Sequence, residues 1–163
     1  MSETSHPQSY GVFKPVGHIV IAFPTAADGR EADTALLQAG FVAEDIVAYS
    51  SEEMLAQTEQ DLANASGLAA IGQELNLVKA HRTLALRGSC FLVVRARDQH
   101  EADQVAEIAL RCRASRAQRY GSLLIEELIP VGGSERQVAE SNDRGLDAQT
   151  RSGTETAQVG TLP

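Results

Sequence analysis

Histidine and cysteine are the residue types of this sequence with the widest chemical use, and their spacing argues against a metal site. The chain has four histidines and two cysteines. They are His6, His18, His81, His100, Cys90 and Cys112. No two of them stand at an interval typical of zinc sites. There is no CxxC pair, so we expect two reduced, largely buried thiols in a cytoplasmic protein and no bound metal.

His81 is the candidate for acid–base chemistry, because it lies on an apolar helical stripe beside Arg82. We favour a structural histidine that is hydrogen-bonded at a domain boundary. No HExxH, GxSxG, Walker or GxGxxG motif occurs. Glu126 and Glu127 are neighbours on a predicted strand, so their carboxylates point to opposite faces. The sequence therefore predicts a protein that is not an enzyme and needs no cofactor.

Four arginines run from the end of the last predicted helix into the last predicted strand. They are Arg111, Arg113, Arg116 and Arg119. Arginines late in a helix interact favourably with the helix dipole, which is a sufficient structural reason for them. The functional alternative is a binding site for an anionic small ligand or an acidic protein partner. We include His81 and Arg82 in this candidate binding set.

Charge is distributed unevenly along the chain, whose formal net charge is −8. Residues 79–119 hold nine basic and four acidic residues, a net charge of +5, and the remainder carries −13. A molecule with one basic and one acidic region can associate with copies of itself or with an acidic partner. An unevenly charged solvated surface is the plain alternative.

A repeated pattern predicts the fold. Residues 18–49 and 90–125 each indicate a strand, a helix and a strand, and a Glu-Ala-Asp tripeptide recurs at residues 31 and 101. Two βαβ halves predict a ferredoxin-like α+β sandwich with a mostly antiparallel four-stranded sheet. An extra helical insertion at 51–87 separates the second and third strands. We expect one domain at 17–130 between disordered tails at 1–16 and 131–163.

Local signals place the elements within this domain. Thr25 with Asp28, and Ser50 with Glu53, predict capped helix starts, and Gly40 predicts a helix end. The insertion divides into two helices, or kinks, near residues 67–72. The predicted strands are 19–23, one opening at 45–46, 90–96 and 118–128, with a helix at 100–114 before the last of them.

The first and third strands are apolar at nearly every position, over residues 19–23 and 91–94. Such runs predict a sheet whose two faces are both covered. The helices of the βαβ halves cover one face, and either the insertion or a second subunit must cover the other. A homodimer packed through its sheets is therefore one of two explanations.

The stretch from Arg87 to Val94 partly fits the RNA-binding signature of a central strand, which needs aromatic rings for base stacking. Ser89 and Val94 stand where rings are required, and the net charge is negative. These departures disfavour RNA binding, and nothing indicates DNA binding. No apolar run reaches the ~18 residues of a membrane helix.

The segment RGSCFLVVRA at 87–96, the Ala-rich helix after it and AQRYG at 117–121 resemble small bacterial proteins related to the general-stress-protein family. The stretch ALLQAGF at 35–41 resembles the opening of the same proteins. The resemblance covers about residues 18–128 and consists of structural glycines and apolar residues, with Ser89 in place of a usual glycine. It implies a stress-associated bacterial protein and names no catalytic residue. We expect a non-enzymatic protein that acts through self-association and a protein partner; an anionic-ligand sensor is the first alternative and RNA binding the second.

Overall fold

The computed structural model describes residues 8–9, 12–13, 15–65 and 72–131. The elements follow in the order β1 (Gln8–Ser9), β2 (Val12–Phe13), β3 (His18–Phe23), α1 (Ala26–Gln38), a 3₁₀ turn (Ala43–Asp45), β4 (Ile46–Tyr49), α2 (Ser51–Ala65), α3 (Gly72–Leu86), β5 (Cys90–Arg95), α4 (Gln99–Arg111), β6 (Arg116–Tyr120) and β7 (Ile125–Glu127). The architecture is α+β, as the sequence predicts. None of the described helices is long and apolar enough to cross a membrane.

An open sheet of five strands, in the order β4-β5-β3-β6-β7, forms the centre of the described fold. Every neighbouring pair is antiparallel. In the middle of the sheet, Val20 lies opposite Val93 on one side and opposite Gln118 on the other. β1 and β2 form a separate antiparallel pair. The sheet therefore has two edge strands, β4 and β7.

The prediction of four strands is wrong, because the last predicted strand, 118–128, is two strands. β6 and β7 form a hairpin around residues 121–124. The N–H of Gly121 donates to the carbonyl of Leu124 at 2.9 Å. A Cβ at position 121 would lie 2.8 Å from that carbonyl oxygen, so the turn needs glycine there. The apolar run hides this turn, since Leu123 and Leu124 continue the β-like pattern.

The predicted ends of α1 are confirmed. Thr25 is the N-cap, and its hydroxyl accepts from the N–H of Asp28 at 3.1 Å. At the other end Gly40 has a φ of 100°. The N–H of Phe41 donates to the carbonyl of Leu36, and that of Gly40 to the carbonyl of Leu37. These two bonds form the Schellman motif that ends many helices.

The start of α2 is a complete capping box, as the sequence predicts. The hydroxyl of Ser50 accepts from the N–H of Glu53 at 3.1 Å. The carboxylate of Glu53 accepts from the N–H of Ser50 at 2.8 Å in return. Both orphan donors are thereby satisfied, which fixes the point where the chain leaves β4. The predicted interruption of the insertion falls mainly in 66–71, outside the described residues.

The two faces of the sheet pack against different helices. Ile19, Ile21 and Phe23 of β3 belong to a core with α1 and α4. The alternate residues Val20 and Ala22 belong to a second core. This second core joins Phe91, Val93, Tyr49 and Tyr120 to Met54 of α2 and to Leu77 and Ala85 of α3. The insertion, and not a second subunit, therefore covers the second face of the sheet within this chain.

The segments predicted to be tails lie mostly outside the described residues. Within 1–16, the backbone of β1 and β2 is described. Of residues 131–163, the structure describes Val131.

Candidate functional site

His81 lies in α3 at the centre of the helix-covered second face. It is 4% exposed, and its ring meets Phe91 edge to face with ring centroids 5.8 Å apart. Its Nε2 lies 3.2 Å from Oε1 of Gln118, an amide oxygen that only accepts, so Nε2 donates. Burial, above all, lowers the pKa of His81 to about 4. The ring is therefore neutral near pH 7 and ties α3 to β6.

Gln118 also makes a hydrogen bond to β7, at the edge of the sheet. Its side-chain N–H donates to Glu127 of β7 at 2.5 Å. The same carboxylate oxygen of Glu127 accepts from Arg116 through Nη2 at 2.7 Å and Nε at 3.0 Å. A continuous polar chain thus runs from His81 through Gln118 and Glu127 to Arg116. It holds α3, β6 and β7 together.

The polar chain suits a structural role. Buried polar groups are stable when each has its hydrogen-bond partner, and no described buried side-chain nitrogen or oxygen lacks one. His81 is enclosed between α3 and the sheet, out of reach of bulk water. This placement fits the structural role favoured from the sequence. Gln118 and Glu127 are the members that the sequence analysis missed.

The structure divides the predicted arginine cluster between different contacts. Arg113 follows α4 with a φ of 62°, the left-handed conformation that usually selects glycine. Its Nε donates to Asp28 at 2.8 Å and its Nη2 to Glu31 at 2.7 Å. Hydrogen bonds from Thr25 and then from Arg113 lower the pKa of Asp28. Arg113 is therefore a clamp between the end of α4 and α1.

The other predicted site residues lie apart from this clamp. Arg119 donates to Oε1 of Gln99 in α4 at 2.8 Å, on the opposite side of β6 from Arg116. Arg111 is the basic residue of the last turn of α4, where a positive charge complements the helix dipole. Nη2 of Arg82 lies 3.9 Å from Oε1 of Glu59 in α2. The structure brings together His81 and Arg116, through Gln118 and Glu127.

Both cysteine thiols are free. Cys112 is buried, and Cys90 is partly buried and donates to the carbonyl of Thr25 at 3.3 Å. Burial, as the largest cause, raises the pKa of both thiols. Both are therefore protonated near pH 7, which does not favour nucleophilic chemistry. In the described part of the chain, no cluster of three or more histidine, cysteine, aspartate or glutamate side chains could hold a metal ion.

The sheet face that carries Phe91 is covered by α2 and α3. Phe91, the ring that fits the signature, is 1% exposed beneath α3. A stacking platform needs its ring in solvent. The described sheet offers no such ring at this position.

Among the described residues, the most exposed large apolar side chains lie at the tip of the β6–β7 hairpin. Leu123 is 97% exposed and Leu124 is 66% exposed. Val16 is 45% exposed. It lines an open cavity of about 420 Å³ together with the two leucines, and Arg119 and Glu126 are also on the wall of this cavity. We call Val16, Leu123 and Leu124 the apolar tip. A single exposed leucine is ordinary, whereas neighbouring exposed apolar side chains are typical of a docking surface.

The fold holds the apolar tip firmly. The N–H of Gly17 donates to the carbonyl of Tyr120 at 2.8 Å, which joins Val16 to the hairpin. The bond between Gly121 and Leu124 closes the turn, and Glu127 anchors the returning strand. The leucines therefore stand on a hydrogen-bonded turn, and an ordered backbone lowers the entropic cost of binding.

The sequence analysis missed the apolar tip because it assigned 121–124 to a strand. The signal that could have found it is Gly121-Ser122, a turn pair that interrupts the apolar run before two leucines.

Comparisons of the chain with known protein families, with curated proteins and with solved structures found no match.

Proposed function

We propose that this chain is a non-enzymatic interaction module that binds a protein partner through its apolar tip and also self-associates. The observation that carries the proposal is the 97% exposure of Leu123 beside Leu124 and Val16 on a hydrogen-bonded loop. Burying a leucine side chain contributes about 1.5–3 kcal/mol. Burying both leucines in an interface would therefore contribute several kcal/mol of favourable free energy.

The partner that this surface fits is a protein with an apolar recess. Arg119 and Glu126 stand beside the tip and carry opposite charges. Interfaces commonly place such charges at a polar rim around an apolar centre. The rim charges then orient the partner, while the leucines supply the affinity.

A ferredoxin-like description of the domain is part of this proposal. The order β4-β5-β3-β6, the antiparallel pairing, and the position of α1 and α4 on one face support it. The pair α2 and α3 and the strand β7 are additions to that plan. A fold of this kind does not by itself imply a function, so the functional argument rests on the tip.

Two features of the described structure favour an interaction module over the alternatives. The guanidinium groups of Arg113, Arg116 and Arg119 already contact acidic or amide side chains of the chain itself, so an anionic ligand would have to displace them. The buried Phe91 offers RNA no stacking surface. The resemblance noted above is the support for a stress-associated role in a bacterial cytoplasm.

Site-specific photo-crosslinking in the host cell tests the proposal. A photoreactive side chain at position 123 should capture a specific protein, whereas the same group at Leu110 should not. Leu110 is the matched control, because it is an exposed leucine, 54% accessible, on α4 away from the hairpin. The captured protein is then purified, and its affinity for the unmodified chain is measured directly.

Native mass spectrometry of the protein purified from its host separates the proposal from the sensor alternative. The interaction module predicts a chain without a retained small molecule. A retained anionic ligand that is lost in Arg113→Ala would instead support the sensor and count against the module.

A further inference from the structure

The two edges of the sheet differ in their protection. β7 carries Glu126 and Glu127 within three residues. Charged side chains of this kind discourage an edge from pairing with another strand. β4, with the sequence IVAY, carries no charge and no proline. It pairs with β5 and with no other described strand, so neither charge nor proline protects its outer edge.

A groove of about 250 Å³ lies beside this unprotected edge. Ala26, Gly29, Arg30 and Asp33 of α1 line one side of it, and Ala48 and Tyr49 of β4 another. Ala48 is exposed and lies opposite Leu92, on the face of the sheet that α1 covers. The described fold therefore leaves the α1 side of β4 open to a neighbour.

We infer that β4 pairs with β4 of a second copy of this chain in an antiparallel, two-fold symmetric dimer. This inference deepens the self-association in the proposed function and uses a different edge from the apolar tip. In an isologous interface the same strand serves both subunits. The result is one continuous sheet of ten strands.

The faces of the strand restrict the register. A two-fold axis perpendicular to the sheet keeps each face on its own side, so paired residues must share a face. Pairing Ala48 with Ala48 of the partner subunit satisfies this condition. Val47 then lies opposite Tyr49 of the partner subunit, an aromatic and β-branched pair that favours sheet association. No like charges meet along the strand.

The charges of α1 complement this arrangement. β3 and β4 are both antiparallel to β5, so α1, which connects them, runs antiparallel to β4. The two copies of α1 therefore run antiparallel to each other on the same face of the shared sheet. Arg30 and Asp33 are one turn apart on the groove side of α1. Neither is in any of the ion pairs between described residues. Antiparallel pairing brings each Arg30 toward Asp33 of the partner subunit, so unlike charges meet twice.

This complementarity argues for a second copy as the occupant of the edge. A second copy of the chain presents Asp33 to Arg30 and Arg30 to Asp33 by symmetry. An unrelated peptide does not carry this pair of charges in the reverse order by symmetry. Exposed ion pairs are weak, so they select the orientation, while strand pairing and apolar contact hold the dimer.

Sedimentation analysis of the full chain over a range of concentrations tests the inference. We expect the wild type to reach twice the 17.4 kDa mass of one chain. Ala48→Lys and Ala48→Glu should each be monomeric, because like charges would then meet on the two-fold axis. An equimolar mixture of these two variants should form dimers again. Far-UV circular dichroism reports that each variant is folded.

Two controls separate the edge from a general effect of charge. Ala39→Lys places the same charge on an exposed alanine at the end of α1, on a different side of the helix from Arg30, and should leave the dimer intact. Arg30→Asp should weaken the dimer, and Arg30→Asp combined with Asp33→Arg should restore it. A wild-type chain that stays monomeric, or a dimer that survives Ala48→Lys, overturns the inference. The crosslinking test at position 123 is independent of either outcome.

Discussion

His81 of α3 donates a hydrogen bond to Gln118 of β6 at 3.2 Å, and the two residues are 37 positions apart in the chain. This bond is a buried polar link between the helical insertion and the sheet that it covers. Both side chains are almost fully enclosed. A buried pair of this kind is costly to leave half-made, so it specifies how α3 sits on the sheet.

Acid should destabilise the protein through His81. Its pKa falls from 6.5 to about 4 on folding, because burial disfavours the charged ring. The unfolded chain binds more protons between these values, so this contribution is fully present above pH 6.5 and is lost as the pH falls through about 4. The difference corresponds to about 3 kcal/mol. Denaturant unfolding at several pH values measures it.

His81→Leu is the matched variant for this pH dependence. It should be less stable than the wild type near pH 7, because the amide oxygen of Gln118 loses its donor, and its stability should fall less between pH 6.5 and 4. Equal slopes in the two proteins would contradict the assignment to His81.

Gln118→Leu should lower the free energy of unfolding by about 1–3 kcal/mol, because it leaves His81 and Glu127 without the amide between them. Gln99→Leu is the control, since Gln99 makes its hydrogen bonds to Asp103 and Arg119 at the surface. Surface changes of this kind usually stay within about 0.5 kcal/mol. The idea fails if the two variants unfold at the same denaturant concentration.

Gly121→Ala should distort the hairpin that carries the apolar tip. The added Cβ would lie 2.8 Å from the carbonyl oxygen of Leu124, a backbone atom that cannot rotate away. We expect the free energy of unfolding to fall by about 1–3 kcal/mol. Amide hydrogen exchange at position 121, whose N–H closes the turn, should become faster. Ser122→Ala, at the exposed neighbouring position, should change neither quantity. Unchanged exchange in Gly121→Ala would show that the turn tolerates a side chain.

Met54→Ala tests whether the insertion covers the second face of the sheet. Met54 is fully buried in the core that contains Phe91 and Val93. Truncation should cost about 2–5 kcal/mol. Because the cover belongs to the same chain, the loss should not depend on protein concentration when it is measured in the Ala48→Lys background. A loss that disappears on dilution would point to a second subunit instead.

The local elements were predictable from sequence, because their signals lie within a few residues. Thr25 and Ser50 mark helix starts, and Gly40 marks a helix end, through hydrogen bonds to nearby backbone. The unbroken apolar runs of β3 and β5 predicted a sheet with two covered faces. Which element covered the second face could not be read from sequence, since the pattern is the same for a helix pair and for a second subunit.

The site was less accessible to sequence reasoning. The contact between His81 and Gln118 and the split of Arg116 and Arg119 between two faces depend on strand register. Period-two alternation would have separated the two arginines had β6 been placed two residues earlier. Leu123 and Leu124 continue the β-like apolar pattern, whereas the hydrogen bond between Gly121 and Leu124 and the pairing of β6 with β7 show that they form a turn.

The measurement that tests the central claim most directly is the affinity of the captured partner for tip variants. Leu123→Ser with Leu124→Ser should weaken binding by at least about tenfold, because each leucine loses its buried apolar contact. Leu110→Ser should bind like the wild type, since Leu110 is exposed away from the hairpin. If the tip variant binds as tightly as the wild type, the apolar tip is not the docking surface and the proposed function is contradicted.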